Sequence, residues 1–319
     1  MKLLVTGGCG FIGSNFIRYI LETYPEYKIT NLDCLNYAGN PDNLSDIAKN
    51  KNYKFVKGDI RDFKTVDKLA KEADYIINFA AQTHVDRSIK EAKDFIETNV
   101  NGVFTMLEAC RNSEVKLFIQ ISTDEVYGST LESSFIETDS LMPSSPYSAS
   151  KAAGDCLCSA YSATYKLPII VTRCTNNFGP YQYPEKVIPL FITNLLENKK
   201  VPLYGDGLNV RDWIYVYDHV RAIDFLMHKG KSGEVYNISA NNEVSNIELT
   251  KSILKKFSLD EASIEYVEDR PAHDRRYSLD SSKLRSLGWR PIYDFSASLD
   301  ATIDWYKENT KWWKKIKKF

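Results

Sequence analysis

A chain of 319 residues, 43% hydrophobic and 26% charged, carries enough apolar material for one large domain or two closely packed ones. Its formal net charge of -1 gives no bulk attraction for nucleic acid or an anionic membrane, and apolar runs such as Leu167 to Val171 are too short to span a bilayer. Cys9, Cys34, Cys110, Cys156, Cys158 and Cys174 lack the two-residue gap of a zinc or redox motif, so they read as reduced thiols packed as small apolar side chains, with no metal expected.

Lys2 to Val5 is a buried-strand candidate that runs straight into glycines. A secretory signal needs a longer apolar region and a cleavage site, so a cytoplasmic location is expected. Ser14 to Tyr24 places Phe16, Ile17, Ile20 and Leu21 on one helical face. Between strand and helix lies Thr6-Gly7-Gly8-Cys9-Gly10-Phe11-Ile12-Gly13. Gly7 permits the tight turn, Gly10 lets backbone approach a pyrophosphate, and Gly13 lets helix pack on strand. The helix start offers N–H groups and partial positive charge to phosphates. Ile29 to Leu32 is a second strand, and Asp33 at its end stands about 20 residues past the glycines, where a ribose-binding carboxylate belongs. That acid favours NAD, because a 2′-phosphate would meet like charge. Tyr53 to Val56 and Tyr75 to Phe79 read as strands, Ile96 to Cys110 as a helix, Leu117 to Ser122 and Leu167 to Thr172 as the fifth and sixth strands. Such alternation predicts an α/β fold, a Rossmann-like doubly wound parallel sheet over residues 1–175.

Beyond Asn176 the glycines and prolines multiply and the pattern loosens. Ile188 to Leu196, Val201 to Tyr204, Asp218 to His228, Val235 to Ile238 and Ile247 to Phe257 are the strand and helix candidates. Residues 176–319 read as a smaller mixed α/β substrate-binding region that closes over the first, with some segments returning to it. The tail from Lys311 mixes five lysines with Trp312 and Trp313 and reads as a solvated terminal helix with docked aromatics.

Two clusters carry chemistry. Tyr147 and Lys151 share a helical face at four-residue spacing, and an ammonium there is expected to lower the tyrosine pKa from about 10, so that Tyr147 takes a hydroxyl proton while a hydride leaves the same carbon. The second cluster is Ser122-Thr123-Asp124-Glu125-Val126-Tyr127-Gly128 at the carboxyl end of the fifth strand, where open α/β sheets place ligands. Adjacent carboxylates in a cleft repel and are desolvated. One can then stay protonated as an acid while its neighbour serves as base, which points to elimination.

The Gly-x-x-Gly-x-x-Gly spacing resembles the extended short-chain dehydrogenase/reductases, in which Asp59-Ile60 and Phe79-Ala80-Ala81 would meet adenine and the cofactor backbone. Over nearly its whole length the chain resembles the dTDP-glucose 4,6-dehydratase family. The matching segments are the glycine turn, Tyr37-Ala38-Gly39-Asn40, His84-Val85-Asp86-Arg87-Ser88, the Thr-Asp-Glu run, Tyr147 to Lys151, Asn176 to Tyr181, Arg211-Asp212-Trp213 and Asp269 to Tyr277. The resemblance implies NAD-dependent conversion of a nucleotide-hexose to its 4-keto-6-deoxy sugar, with Thr123, Asp124, Glu125, Tyr147 and Lys151 catalytic. It implies cofactor contacts at Gly7, Gly10, Phe11, Ile12, Gly13, Asp33, Asn36, Asp59, Ile60, Ala80, Ala81, Thr98, Tyr147, Lys151 and Asn177. The sugar nucleotide would be held by Thr83, His84, Thr123, Asn176, Lys186, Val187 and Pro202, and by Tyr204, Arg211, Asn246, Arg270, His273 and Tyr277. A bidentate grip of Arg211 and Arg270 on phosphate suits that role, whereas His84 beside Asp86 and Arg87 also reads as a structural ion cluster. A homodimer through the helices around 95–110 and 148–166 is implied as well. Departures from the family pattern include Cys9 for alanine, Gln82-Thr83 for Glu-Ser and Ala272 for glycine. Rival readings are an epimerase or decarboxylase of the same superfamily, which has no need of the Asp-Glu pair, and a non-catalytic dinucleotide sensor, which has no need of Tyr147 or Lys151.

Overall fold

The computed structural model describes residues 1–269 and 273–317. In chain order the first half gives strand β1 (Lys2–Thr6), helix α1 (Phe11–Thr23), β2 (Lys28–Asp33), β3 (Tyr53–Lys57), α2 (Phe63–Ala70), β4 (Tyr75–Asn78), α3 (Val85–Lys90), α4 (Lys93–Ile96), a π-helical turn (Glu97–Gly102), α5 (Val103–Arg111), β5 (Leu117–Thr123), a 3-10 turn (Asp124–Tyr127), α6 (Pro146–Tyr165) and β6 (Ile169–Cys174). There follow β7 (Asn176–Phe178), α7 (Val187–Leu196), β8 (Val201–Tyr204), β9 (Val210–Tyr215), α8 (Val216–Lys229), β10 (Val235–Ile238), β11 (Glu243–Ser245), α9 (Asn246–Lys256), β12 (Ile264–Val267), α10 (Ser282–Ser286), α11 (Phe295–Glu308) and α12 (Thr310–Ile316).

Seven strands form one parallel sheet in the order β10-β6-β5-β4-β1-β2-β3. Because successive side chains of a strand point to opposite faces, Leu3 and Val5 of β1 join Phe16, Ile17 and Ile20 of α1 and Val220 and Ile223 of α8 in one apolar cluster. Leu4 between them joins Val66 of α2, Met106 of α5 and Cys158 of α6 in another. The sheet is therefore covered on both faces, and all seven residues of β5 are buried, as near-continuous apolar runs in parallel sheets require. The strand order reverses beside β1, and the crevice at the carboxyl ends there is where such sheets bind ligands.

The structure moves several expected boundaries. The sixth strand begins at Ile169 because Lys166 turns left-handed (φ 57°) to end α6, and Leu167-Pro168 serve as the link. The expected helix from Ile96 is interrupted by one π turn. Val235–Ile238 pairs in parallel with β6 and extends the large sheet. Two small sheets, β11-β9-β7 and β12-β8, stand beyond it over a third apolar cluster that includes Phe178, Phe191, Ile253, Ile303 and Trp313. α11 and α12 close that cluster: Trp313 is 1% exposed, and Trp312 Nε1 donates to Asn43 Oδ1 at 2.8 Å. No helix among the described residues is long and apolar enough to cross a membrane.

Candidate active site

A cleft of about 400 Å³ opens along the carboxyl ends of β1, β2, β4 and β5. At one end Gly7 takes φ +69°, and a Cβ there would lie 2.6 Å from Ala80 N, so only glycine allows β1 to turn this close to the segment after β4. A Cβ at Gly13 would meet Gly7 O at 2.5 Å, which seats the first turn of α1 directly on the loop. Gly10 precedes that helix in extended conformation without a side-chain cap, and the first N–H groups of a helix have no intrahelical partner. They face the cleft beside Phe11 and Ile12, a cradle suited to a pyrophosphate.

Asp33 is 6% exposed; it accepts from Cys9 N (2.9 Å) and Leu35 N (2.8 Å). Burial still lifts its pKa above the usual carboxylate value, with those two N–H groups opposing. Asn36, Asp59, Ile60, Ala80, Ala81 and Thr98 line the same end. Asn36 Oδ1 holds the loop after β2 through Ala38 N and Gly39 N (3.1 Å each), and Asp59 is clamped by Arg61. The glycine turn, the carboxylate at the end of β2 and the apolar Ile60 wall together fit a dinucleotide with an unphosphorylated ribose.

Thr123, Asp124, Glu125, Tyr147 and Lys151 meet at the other end of the cleft. Thr123 ends β5 and caps the 3-10 turn: Glu125 N donates to its Oγ1 (3.3 Å), and that hydroxyl lies 3.1 Å from Asp124 Oδ1. Asp124 is 4% exposed. Burial first, and the Glu125 charge second, raise its pKa to about 8. Asp124 Oδ2 and Asn176 Oδ1 are buried polar atoms without a partner among the described residues. Two such polar atoms in one cleft wall suit a hydroxyl-rich ligand.

Tyr147 and Lys151 sit on α6, started by Ser145 in a capping box with Ser148 and by Pro146 at its first position. The expected effect of the lysine is not what the structure gives. Burial, then Glu125 and, more weakly, Asp124 push the phenol well above its ordinary pKa, with the Thr123 hydroxyl opposing. Lys151 is itself lowered by burial, and its Nζ donates to Ile121 O at 2.6 Å. The physical reason is desolvation, which outweighs a cation already engaged with a carbonyl.

Among the expected sugar-nucleotide contacts, Thr83, Thr123, Asn176, Lys186 and Val187 line the cleft, as does the cofactor candidate Asn177. His84 lies just outside it and accepts from Arg87 N as the cap of α3. Pro202, Tyr204, Arg211, Asn246, His273 and Tyr277 belong to β8, β9, α9 and the segment before α10, also outside the lining. Arg211 is 5% exposed, stacks 4.3 Å from the Tyr277 ring and donates to Val210 O and Asp274 O. Its charge still reaches Asp124, and the Tyr277 ring feels Glu125, so this group borders the reaction end. His273 Nδ1 lies 2.6 Å from Asp269 Oδ1. Arg270 and Ala272 lie outside the described residues.

Sequence reading passed over two wall residues, His219 and Glu185, and a third that braces the wall from behind. Asn99, carried by the π turn, bonds both Gln82 N and Gln82 O (2.8 and 3.0 Å) and Ser150 Oγ (2.9 Å), tying the loop after β4 to α6. His219 is fully buried with its pKa lowered to about 3 by burial, and its Nδ1 meets Asn177 Oδ1 at 2.9 Å. Glu185 gathers three side chains, Tyr37 from the loop after β2 and His84 and Arg87 from the start of α3. The π turn has no periodic signature, and a lone His on the buried face of α8 or a lone Glu in a loop carries no pattern.

Comparison with known proteins bears on the whole chain. A profile of the family described as GDP-mannose 4,6 dehydratase matches residues 4–302. A curated relative, the low-salt glycan biosynthesis protein Agl12 of Haloferax volcanii, is 50% identical over 96% of this chain and 98% of its own. The dTDP-glucose 4,6-dehydratase of Streptomyces niveus is 48% identical over 99% and 96%. The crystal structure of DesIV, a dTDP-glucose 4,6-dehydratase from Streptomyces venezuelae with NAD bound, superposes with a TM-score of 0.97 at 47% identity, covering 99% of this chain and 100% of that one.

Proposed function

The chain belongs to the nucleotide-sugar 4,6-dehydratases, the family described as GDP-mannose 4,6 dehydratase, and from that membership and the cleft we infer that it is an NAD-dependent hydro-lyase that converts dTDP-glucose to its 4-keto-6-deoxy derivative. The observation that carries this reading is the buried Asp124 beside Glu125 in one cleft wall with Tyr147. When bound, NAD would serve as the hydride acceptor for carbon 4 of the sugar and then as the hydride donor to carbon 6. Gly7, Gly10 and Gly13 would hold its pyrophosphate, Asp33 its ribose, and Thr98, Asn177 and Lys151 its nicotinamide half.

Tyr147 accepts the proton of the 4-hydroxyl while Thr123 hydrogen-bonds the same oxygen. Burial holds Tyr147 as the phenol; the positive charge of a bound nicotinamide ring would favour the phenolate that accepts this proton. The ketone formed at carbon 4 acidifies the proton on carbon 5, and Glu125 removes it. Asp124, kept protonated by burial, donates to the departing 6-hydroxyl, and water leaves; Glu125 then returns its proton to carbon 5 as carbon 6 receives the hydride. Asn176, Lys186 and Val187 would hold the nucleotide half with Arg211, His273 and the Tyr204 face, where the Arg211 charge suits a diphosphate.

The same reading extends to the assembly and the compartment. Ile96, Phe104 and Tyr165 are exposed on the helices that the family resemblance gives to a homodimer. Six unpaired thiols suit a reducing cytosol. Mass spectrometry of the purified protein with dTDP-, UDP-, CDP- and GDP-hexoses, without added NAD, tests the function. The expected result is loss of one water from dTDP-glucose. Unchanged mass, with a new epimer resolved by NMR of the same reaction, would establish an epimerase instead.

A further inference from the structure

Three loops from distant parts of the chain are tied together at the edge of the cleft. Tyr37, in the loop after β2, donates its hydroxyl to Glu185 Oε1 at 2.9 Å. Arg87, at the start of α3, donates to Glu185 Oε2 at 3.2 Å, and its guanidinium lies 3.7 Å from the Tyr37 ring centre. Glu185 itself, in the segment before α7, has a side chain only 8% exposed. Burial and the Glu185 carboxylate keep the Tyr37 phenol protonated, so the donor stays a donor.

Glu185 itself and residues near all three face the ligand side. Asn36 and Ala38, Thr83, and Tyr183 and Lys186 all line the cleft, and Lys186 Nζ adds a second tie by donating to Thr83 O at 3.3 Å. A dinucleotide held between Gly10 and Lys151 would lie beside these contacts, which close one edge of the cleft.

The dehydration gives retention a chemical purpose. Two electrons leave carbon 4 and re-enter at carbon 6, so neither an outside oxidant nor a reductant is consumed. Cofactor lost between the two transfers would leave the sugar oxidised and the enzyme unable to finish. We propose that Tyr37, Arg87 and Glu185 form a latch that keeps the dinucleotide bound between its two hydride transfers. The three are positioning residues, and their purpose, though not their contacts, rests on the dehydratase reading above.

The test uses the full-length protein as purified, loaded with NAD, and the variants Tyr37→Phe, Glu185→Gln and Arg87→Ala. Cofactor release is followed by gel filtration and fluorescence without sugar. Loss of a charge-assisted hydrogen bond should speed release by roughly tenfold. During turnover of dTDP-glucose, reduced cofactor and keto sugar should collect in equal amounts in the ultrafiltrate of the variants. Arg87→Ala, at an exposed side chain, guards against misfolding at the buried Glu185. Release no faster than from the parent in all three variants overturns the latch. Because release is read without sugar, a parent that fails to dehydrate dTDP-glucose would sink the dehydratase reading and leave the latch to stand or fall separately.

Discussion

Asp124 is a carboxylic acid that burial and the neighbouring Glu125 hold protonated up to about pH 8. Its folded pKa is raised above the unfolded value, so its contribution to stability is complete below the unfolded value near 4 and is lost as pH rises through 8. The same proton serves the chemistry. Elimination should be fast on the acid side of pH 8 and fall above it as Asp124 ionises, while oxidation at carbon 4 is less affected. Asp124→Asn should therefore still reduce bound NAD rapidly, yet slow elimination by about 10²–10⁴-fold and erase the alkaline fall. Stopped-flow absorbance of the cofactor beside quenched product assays separates the two steps; unchanged turnover in Asp124→Asn removes it from the mechanism. At this scale the reaction end was legible because its residues come as short contiguous runs, Thr123 to Glu125 and Tyr147 to Lys151. Their spacing located the groups but not their proton affinities, since desolvation is a property of the folded cleft.

The 3-10 turn that bears Asp124 rests on a buried polar chain. Arg173 of β6 pairs with Asp155 of α6 (2.9 Å, side chains 6% and 1% exposed), Arg173 also donates to the Tyr127 hydroxyl (2.7 Å), and that hydroxyl donates to Asn237 Oδ1 of β10 (2.9 Å). Sheet, helix and catalytic turn are thereby held in one register. Arg173→Met leaves Asp155 buried without its partner, which costs about 3–5 kcal/mol; Arg173→Met with Asp155→Leu should regain much of it. Denaturant melts measure both, and a single variant as stable as the parent defeats the argument. Elements with strong periodicity, α1 and α8 among them, were readable to within a few residues. β7, β11 and β12 are three or four residues long, too short for any alternation to register. α11 was passed over although its buried apolar residues, Leu299, Ile303 and Tyr306, stand at helical spacing.

For the whole molecule, the outer helical layer over β4, β5 and β6 is unlike an ordinary solvated surface. α6 turns Ala149, Cys156, Ser159, Ala160 and Ala163 outward, a run of small residues where a solvent-facing helix usually carries charge. Beside it Ile96 and Phe104 are 45% and 47% exposed. A face of small side chains bordered by two large apolar ones lets a second copy approach closely, and a two-fold axis across α5 and α6 would apply the same patch to itself. The Tyr147–Lys151 pair sits on the inner side of α6, so such pairing would also stiffen the helix that bears it. Light scattering should give the mass of two chains for the parent. Phe104→Glu would put a charge on each side of the axis, desolvated if pairing persists, and should shift the mass to one chain at micromolar concentration. A parent that elutes as a single chain, or a Phe104→Glu variant that remains paired, removes this face from the interface.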